Sequence, residues 1–371
     1  MPAKLMLLAI GLGVGGTETH ILELASRIDR SRFDVIVCTL KSGGTVAEEL
    51  RARGVRLVSL GGTGKLDARV LIRLLQVIRT ERPDVIQAFL FWANVAARVC
   101  GRILRAFPII SSYHDEIVTE SWGVRLIDRL TLKWTSSIVC CSEAVHRSVL
   151  SYIGNTGGRC TVIPFGVDVG KFKNHAAATR EELGLQESGM VIGTVCRLIE
   201  PKKGLSVLIQ AMKELEQRKG EPPCQLLIVG DGPARDELES LRDRLGLSAH
   251  VVFAGTRRDI PRVLHALDAF VLPSLYEGFG IAILEAMAAG KAVIATKVGG
   301  IPEFVVPSET GFLVEPGNVQ ALAEAIQCLL DDAERATQMG SRGRARAQGE
   351  FGISGVVRQH EQLYESCLIH E

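Results

Sequence analysis

At 371 residues the chain exceeds the size at which a single hydrophobic core stops growing, about 250–300 residues, so two domains are expected. The composition is that of an ordinary globular protein without a run of about 18 apolar residues, which excludes collagen-like, disordered and helix-spanning membrane classes. Net charge is +1 but uneven: residues 1–175 hold 23 Lys+Arg against 15 Asp+Glu and the remainder 20 against 27, so the first half is basic and the second acidic.

The first apolar run, Leu5–Ile10, reads as a buried strand rather than a signal segment. Gly15 and Gly16 and a helical pattern at Ile21, Leu22, Leu24, Ala25 and Ile28 follow it directly. Gly11, Gly13 and Gly16 formally match a dinucleotide-binding turn. The second strand, however, ends at Lys41 without the acid that would hold an adenosine ribose, so no nicotinamide cofactor is expected. Gly15 and Gly16 instead keep the loop low beside a phosphate or sugar, and Thr17 is expected to cap the helix that follows.

Further strand-like runs at Asp34–Leu40, Val55–Leu60, Val85–Ala88, Ile109–Tyr113, Ile138–Cys141 and Thr161–Pro164 alternate with helical segments. Continuous apolar runs of this kind suit strands buried on both faces of a parallel sheet. Trp92, Trp122 and Trp134 all lie in this basic half. They read either as core residues or, with the basic charge, as contacts to an anionic membrane surface. His114, with Asp115 and Glu116 behind the strand Ile109–Tyr113, is placed to hydrogen-bond a sugar hydroxyl or polarise a leaving group.

A polar, turn-rich stretch near 165–185 interrupts the series and reads as a linker. The series resumes at Val191–Val195, Gln225–Val229, Val251–Gly255, Ala269–Leu272, Ala292–Thr296 and Gly311–Val314. Two Rossmann-like α/β domains with parallel sheets are therefore expected, with ligands at strand C-terminal edges facing an interdomain cleft. The last segment, from Ile353, reads as a helix crossing back to the first domain. The expected divisions are 1–170, 171–352 and 353–371.

Arg197 and Lys203 follow the strand Val191–Val195, where two cations suit a diphosphate. Glu277 and Glu285 flank Gly278, Phe279 and Gly280, where the strand Ala269–Leu272 gives way to a helix. Unpaired N–H groups at a helix start favour phosphate, glycines allow its close approach, and a carboxylate one turn further in can accept both hydroxyls of a ribose. A nucleotide-sugar has these parts. Gly230, Gly232, Gly299 and Gly300 mark further turns. No Asp-x-Asp or His-x-x-x-His is present, so no metal and no cofactor are expected, the cations and the helix start neutralising the diphosphate instead. The nine cysteines are scattered without a C-x-x-C pair and suggest a reducing, cytoplasmic compartment.

These features together resemble retaining glycosyltransferase family four, of the GT-B fold, over nearly the whole chain. The resemblance runs through Gly15-Gly16 with Glu18, His114-Asp115, Ser142-Glu143 and Pro164-x-Gly166-Val-Asp168. It continues through Arg197 to Lys203-Gly204, Gly230-x-Gly232-Pro233, Phe253-x-Gly255, Glu277 to Glu285, and Gly299-Gly-x-Pro-Glu303. Phe165 departs from the Asn often found before Gly-Val-Asp.

The resemblance implies that 1–170 binds acceptor and 171–352 binds donor. Arg197 and Lys203 would hold the diphosphate and Glu285 the ribose. Glu277 would hold sugar hydroxyls, with the N–H groups of Phe279, Gly280 and Ile281 lining sugar and phosphate. Arg257 would lie by the base, with Gly15, Gly16 and His114 near the reacting sugar. The implied partners are a nucleotide-sugar donor (a UDP-sugar or GDP-mannose), a glycan or lipid-linked acceptor of the cell envelope, and peripheral contact with an anionic membrane, but no nucleic acid. Two alternatives on the same fold are a nucleotide-sugar epimerase and a non-catalytic nucleotide-sugar-binding subunit.

Overall fold

The computed structural model describes residues 1–369 except 64–66, 105–106, 117–120, 155–156, 174 and 221–223. It divides into two compact units, Met1–Gly166 with Ile353–Glu371, and Val167–Gly352.

In the first unit the order is β1 (Ala3–Ala9), α1 (Gly16–Arg27), β2 (Phe33–Lys41), α2 (Thr45–Ala52), β3 (Arg56–Gly62), α3 (Ala68–Glu81), β4 (Val85–Phe89) and α4 (Phe91–Leu104). Then come β5 (Ile109–Tyr113), α5 (Trp122–Leu132), β6 (Ser137–Cys140), α6 (Glu143–Ile153) and β7 (Cys160–Val162). The seven strands form one parallel sheet in the order β3-β2-β1-β4-β5-β6-β7. Strand order reverses at β1, whose neighbours are β2 and β4, so the loop leading to Gly15 opens at the switch point of the sheet, where open α/β sheets take ligands. The apolar runs are buried on both faces: Leu5 and Leu7 pack with α1 and α2, Met6 and Leu8 with α3 and α4.

In the second unit the order is α7 (Arg180–Leu183), β8 (Met190–Val195), α8 (Leu205–Lys219), β9 (Cys224–Val229), α9 (Arg235–Arg244), β10 (Val251–Gly255), α10 (Ile260–His265) and β11 (Ala269–Leu272). It continues with α11 (Ile281–Ala288), β12 (Ala292–Thr296), α12 (Ile301–Phe304), β13 (Gly311–Val314), α13 (Val319–Asp331) and α14 (Ala333–Glu350). Six parallel strands run in the order β10-β9-β8-β11-β12-β13, with the switch between β8 and β11. All thirteen strands expected from the apolar runs are present, with ends shifted by at most two residues.

The final helix, α15 (Ile353–Ile369), belongs to the first unit. Its Ile353, Val356, Val357, Tyr364 and Cys367 enter the same core as Leu5, Leu7 and Val37. The Tyr364 hydroxyl donates to Gln87, whose amide donates to Ser112 Oγ at 2.7 Å, so a buried polar thread ties α15 to β4 and β5. All nine cysteines are free thiols.

Candidate functional site

In the second unit the loops after β8 and β11 meet because their strands are neighbours at the switch point. The Lys202 carbonyl accepts the Leu275 N–H at 2.8 Å, locking one loop to the other. Gly204 has φ 63°, and a side chain there would put Cβ 2.1 Å from the Pro273 carbonyl oxygen, so only glycine allows this approach. The result is an ion pair between Lys203 Nζ and Glu277 Oε2 at 2.5 Å, with side chains only 15% and 13% exposed. Ser274 Oγ donates to the same carboxylate oxygen at 3.3 Å, and Thr296 Oγ1 donates to the Ser274 carbonyl at 2.5 Å. Gly299, at φ 50°, backs this loop so closely that a Cβ would lie 1.5 Å from the Glu277 carbonyl oxygen.

Gly280 is the N-cap of α11 and, as a glycine, supplies no side-chain cap, which suits the helix start to an anion; the Ile283 N–H is taken by the Gly280 carbonyl at 2.9 Å. Phe279 is buried and stacks on Phe304 at 4.9 Å, which fixes the backbone of the glycine turn. Glu285 lies in α11, half-buried. Glu200 Oε1 accepts the N–H groups of Leu205 and Ser206 and so caps α8, although burial pushes its carboxyl pKa up.

Arg197 lies at the start of the β8 loop with its side chain exposed, and no ion pair holds it among the described residues. Arg257 is placed differently. Its guanidinium grips both carboxylate oxygens of Asp259 at 2.9 and 2.7 Å and donates to the Glu182 carbonyl at 3.2 Å. Among the described residues no cluster of three or more His, Cys, Asp or Glu could hold a metal ion.

In the first unit Gly15 is the N-cap of α1, with Gly16 its first residue. Thr17 does not cap the helix as expected from the sequence. Its hydroxyl shares a 2.8 Å hydrogen bond with His114 Nδ1 instead. The His114 ring stands edge-on to Phe165 at 4.7 Å and to His20 at 5.8 Å. His20 in turn stacks on Phe165 at 4.8 Å and lies 5.3 Å from His360 of α15. Phe165, the departure from the family pattern, is therefore a packing member of this cluster.

His20 and His360 escaped the sequence reading. His20 was legible only as the polar member of the buried α1 face, and His360 carried no local signal. His20 Nδ1 and both ring nitrogens of His360 are buried without a hydrogen-bond partner among the described residues.

Burial lowers the His20 pKa to about 4, and burial together with the neighbouring rings holds His114 and His360 well below the usual 6.5. Unfolded, the three rings take up protons as pH drops through 6.5; folded, they stay neutral. The unfolded state thus binds more protons between pH 6.5 and about 4, and stability falls as pH falls through that window. For His20 alone the loss approaches about 3 kcal/mol. Melting temperature should be flat above neutrality and drop steeply below pH 6. A His20→Leu/His360→Leu variant should flatten that drop. An equal acid slope in the variant would remove these rings as its cause.

Residues 14–171 match the family described as Glycosyltransferase Family 4, and residues 176–346 match that described as Glycosyl transferases group 1. The N-acetyl-alpha-D-glucosaminyl L-malate synthase of Bacillus anthracis is 32% identical over 81% of this chain and 80% of its own. A GDP-mannose-dependent alpha-(1-6)-phosphatidylinositol monomannoside mannosyltransferase of Mycolicibacterium smegmatis is 30% identical over 89% of each chain. The chain belongs to this glycosyltransferase family.

The glycosyltransferase has the GT-B fold. The crystal structure of Anabaena HepE in complex with UDP and glucose superposes with a TM-score of 0.88, at 26% identity, over 98% of this chain and all of that one. The enzyme is a hexosyltransferase that uses a nucleotide-sugar donor. Retention of anomeric configuration is consistent with the family. Nothing supports the epimerase alternative. No helix among the described residues is long and apolar enough to cross a membrane.

Proposed function

We propose that Arg197, Lys203, Glu277, Glu285 and the start of α11 hold the donor, and that Gly15, Gly16 and His114 act on the reacting sugar. The observation that carries this reading is the meeting of Lys203 and Glu277 at the β8–β11 switch, next to the glycine N-cap of α11. Lys203 and Arg197 neutralise the diphosphate, and the N–H groups of Phe279, Gly280 and Ile281 line it and the sugar. Glu285 accepts the ribose hydroxyls and Glu277 those of the sugar. Arg257, gripped by Asp259, shapes the loop by the base through its backbone.

As the bond between the anomeric carbon and the diphosphate breaks, negative charge grows on the leaving oxygen, and the two cations and the helix start stabilise it. The acceptor hydroxyl approaches from the leaving-group face, forms the new bond to the anomeric carbon and gives its proton to a phosphate oxygen. His114, buried and neutral, hydrogen-bonds a sugar hydroxyl and carries no proton to the leaving group. No divalent cation is required, since fixed positive charge faces the diphosphate.

The acceptor is a glycan or lipid-linked hydroxyl of the cell envelope. The enzyme works in the cytoplasm, peripherally at the inner face of the membrane. The basic first half and the lipid-linked acceptor named for the Mycolicibacterium relative support this.

The test is a melting-temperature titration with UDP-sugars and GDP-mannose in the presence of EDTA. One donor should raise the melting temperature selectively, because a ligand that binds only the folded state stabilises it. Loss of the shift on chelation would overturn metal independence. The absence of any shift from a folded sample would overturn the donor site.

A further inference from the structure

The geometry points to the outward face of α5 as the surface that docks on an anionic lipid bilayer. This helix is seated with its polarity reversed. Its buried residues are Asp128, Thr131 and Leu132 at its C-terminal end, while Trp122, Leu126, Ile127 and Leu130 are exposed at 76%, 47%, 39% and 59%. Hydrophobic burial alone would turn the helix the other way.

What holds it is a buried polar anchor. Arg98 of α4, fully buried, donates to Asp128 Oδ1 at 2.6 Å and to Thr131 Oγ1 at 3.2 Å, and the Tyr113 hydroxyl donates to Asp128 Oδ2 at 2.7 Å. The polar side is thus pinned to the unit, and the apolar stripe of Trp122, Leu126 and Leu130, spaced four residues apart, is left outward.

The charges on the outward face select the occupant. Asp128, the one acid of α5, is buried, whereas Arg129 and the C-cap Lys133 are exposed on the same side as the apolar stripe. α4, which packs against α5, exposes Arg102 and Ile103 one turn beyond Arg98. A second copy of this face would bring like charges together, while anionic headgroups complement them. A tryptophan beside leucines and basic residues is the composition of a helix lying in a headgroup layer. Trp122, read from the sequence as either core or membrane contact, is the most exposed large side chain of this helix.

This deepens the membrane contact proposed above and rests on it, but not on the donor site. The test is co-flotation of the full-length protein with vesicles of phosphatidylcholine alone or mixed with phosphatidylglycerol, beside donor-induced melting shifts on the same samples. The wild type should float with the mixed vesicles and not with phosphatidylcholine. Leu126→Ser/Leu130→Ser should weaken flotation about tenfold or more while keeping the donor shift, as should Arg129→Glu/Lys133→Glu.

Three outcomes would overturn the proposal: a wild type that stays unbound with both vesicle types, a Leu126→Ser/Leu130→Ser variant that floats like the wild type, or a wild-type dimer in solution that this variant dissociates. Loss of the donor shift alone would count against the donor site and leave α5 untouched.

Discussion

Lys203→Ala should lower turnover about 10²–10³-fold, or about 3–4 kcal/mol in the barrier, while the protein stays folded. Without donor, Lys203 is neutralised by Glu277 at 2.5 Å. In the proposed donor site a diphosphate, with more charge, would compete for the same ammonium and leave Glu277 to accept sugar hydroxyls. On the proposed donor site, the Lys203–Glu277 pair therefore keeps both groups ordered before the donor arrives. Removing Lys203 leaves a carboxylate only 13% exposed without its cation, so a loss of a few degrees in melting temperature should accompany the loss of turnover. Glu277→Gln keeps the hydrogen-bonding reach without the charge and should bind donor while turning over slowly. Near-normal turnover from folded Lys203→Ala would remove the lysine from the reaction.

Asp128→Ala should cost about 3–5 kcal/mol of stability in the first unit, the largest effect expected from a residue outside the donor site. Arg98 is fully buried and spends its donors on Asp128, Thr131, Thr135, Ser111 and Tyr113. Burial works against the Arg98 charge, but the ion pair with Asp128 and the hydrogen bonds to Tyr113 and Asp128 outweigh it and raise its pKa, so the guanidinium stays charged. Deleting the carboxylate strands that charge in the interior. Arg98→Met/Asp128→Leu removes both charges and should recover much of the loss, because an apolar pair needs no counter-charge. Denaturant unfolding followed at the tryptophans, all in this unit, reads the difference. An unshifted midpoint for Asp128→Ala would show that the pair carries no stability, and α5 would then lack its anchor.

Much of this molecule was legible in one dimension. Runs such as Val191–Val195 and Ala292–Thr296 are apolar on consecutive residues because both sheet faces are covered, and that alone marks parallel strands and their number. Glu277, the glycine turn and Glu285 were legible because a strand-to-helix junction packs its chemistry into nine consecutive residues. Arg197 and Lys203 stood out for the same reason.

Partnership over distance was not legible. Lys203 meets Glu277 across 74 residues and Thr17 meets His114 across 97, because strand order, not spacing, sets which loops adjoin. His360 reaches His20 because α15 joins the core of the first unit. The seating of α5 escaped for a further reason. Periodicity shows that a helix has two faces, and the apolar one is normally buried. Here a charged arginine on a neighbouring helix needed a carboxylate, and meeting that need turned the apolar face outward. The sequence by itself determined the elements and placed the residues of the proposed donor site on strand-end loops. The tertiary structure decided which groups touch and which face each helix shows, because those choices depend on the electrostatic and packing demands of neighbours far away in the chain.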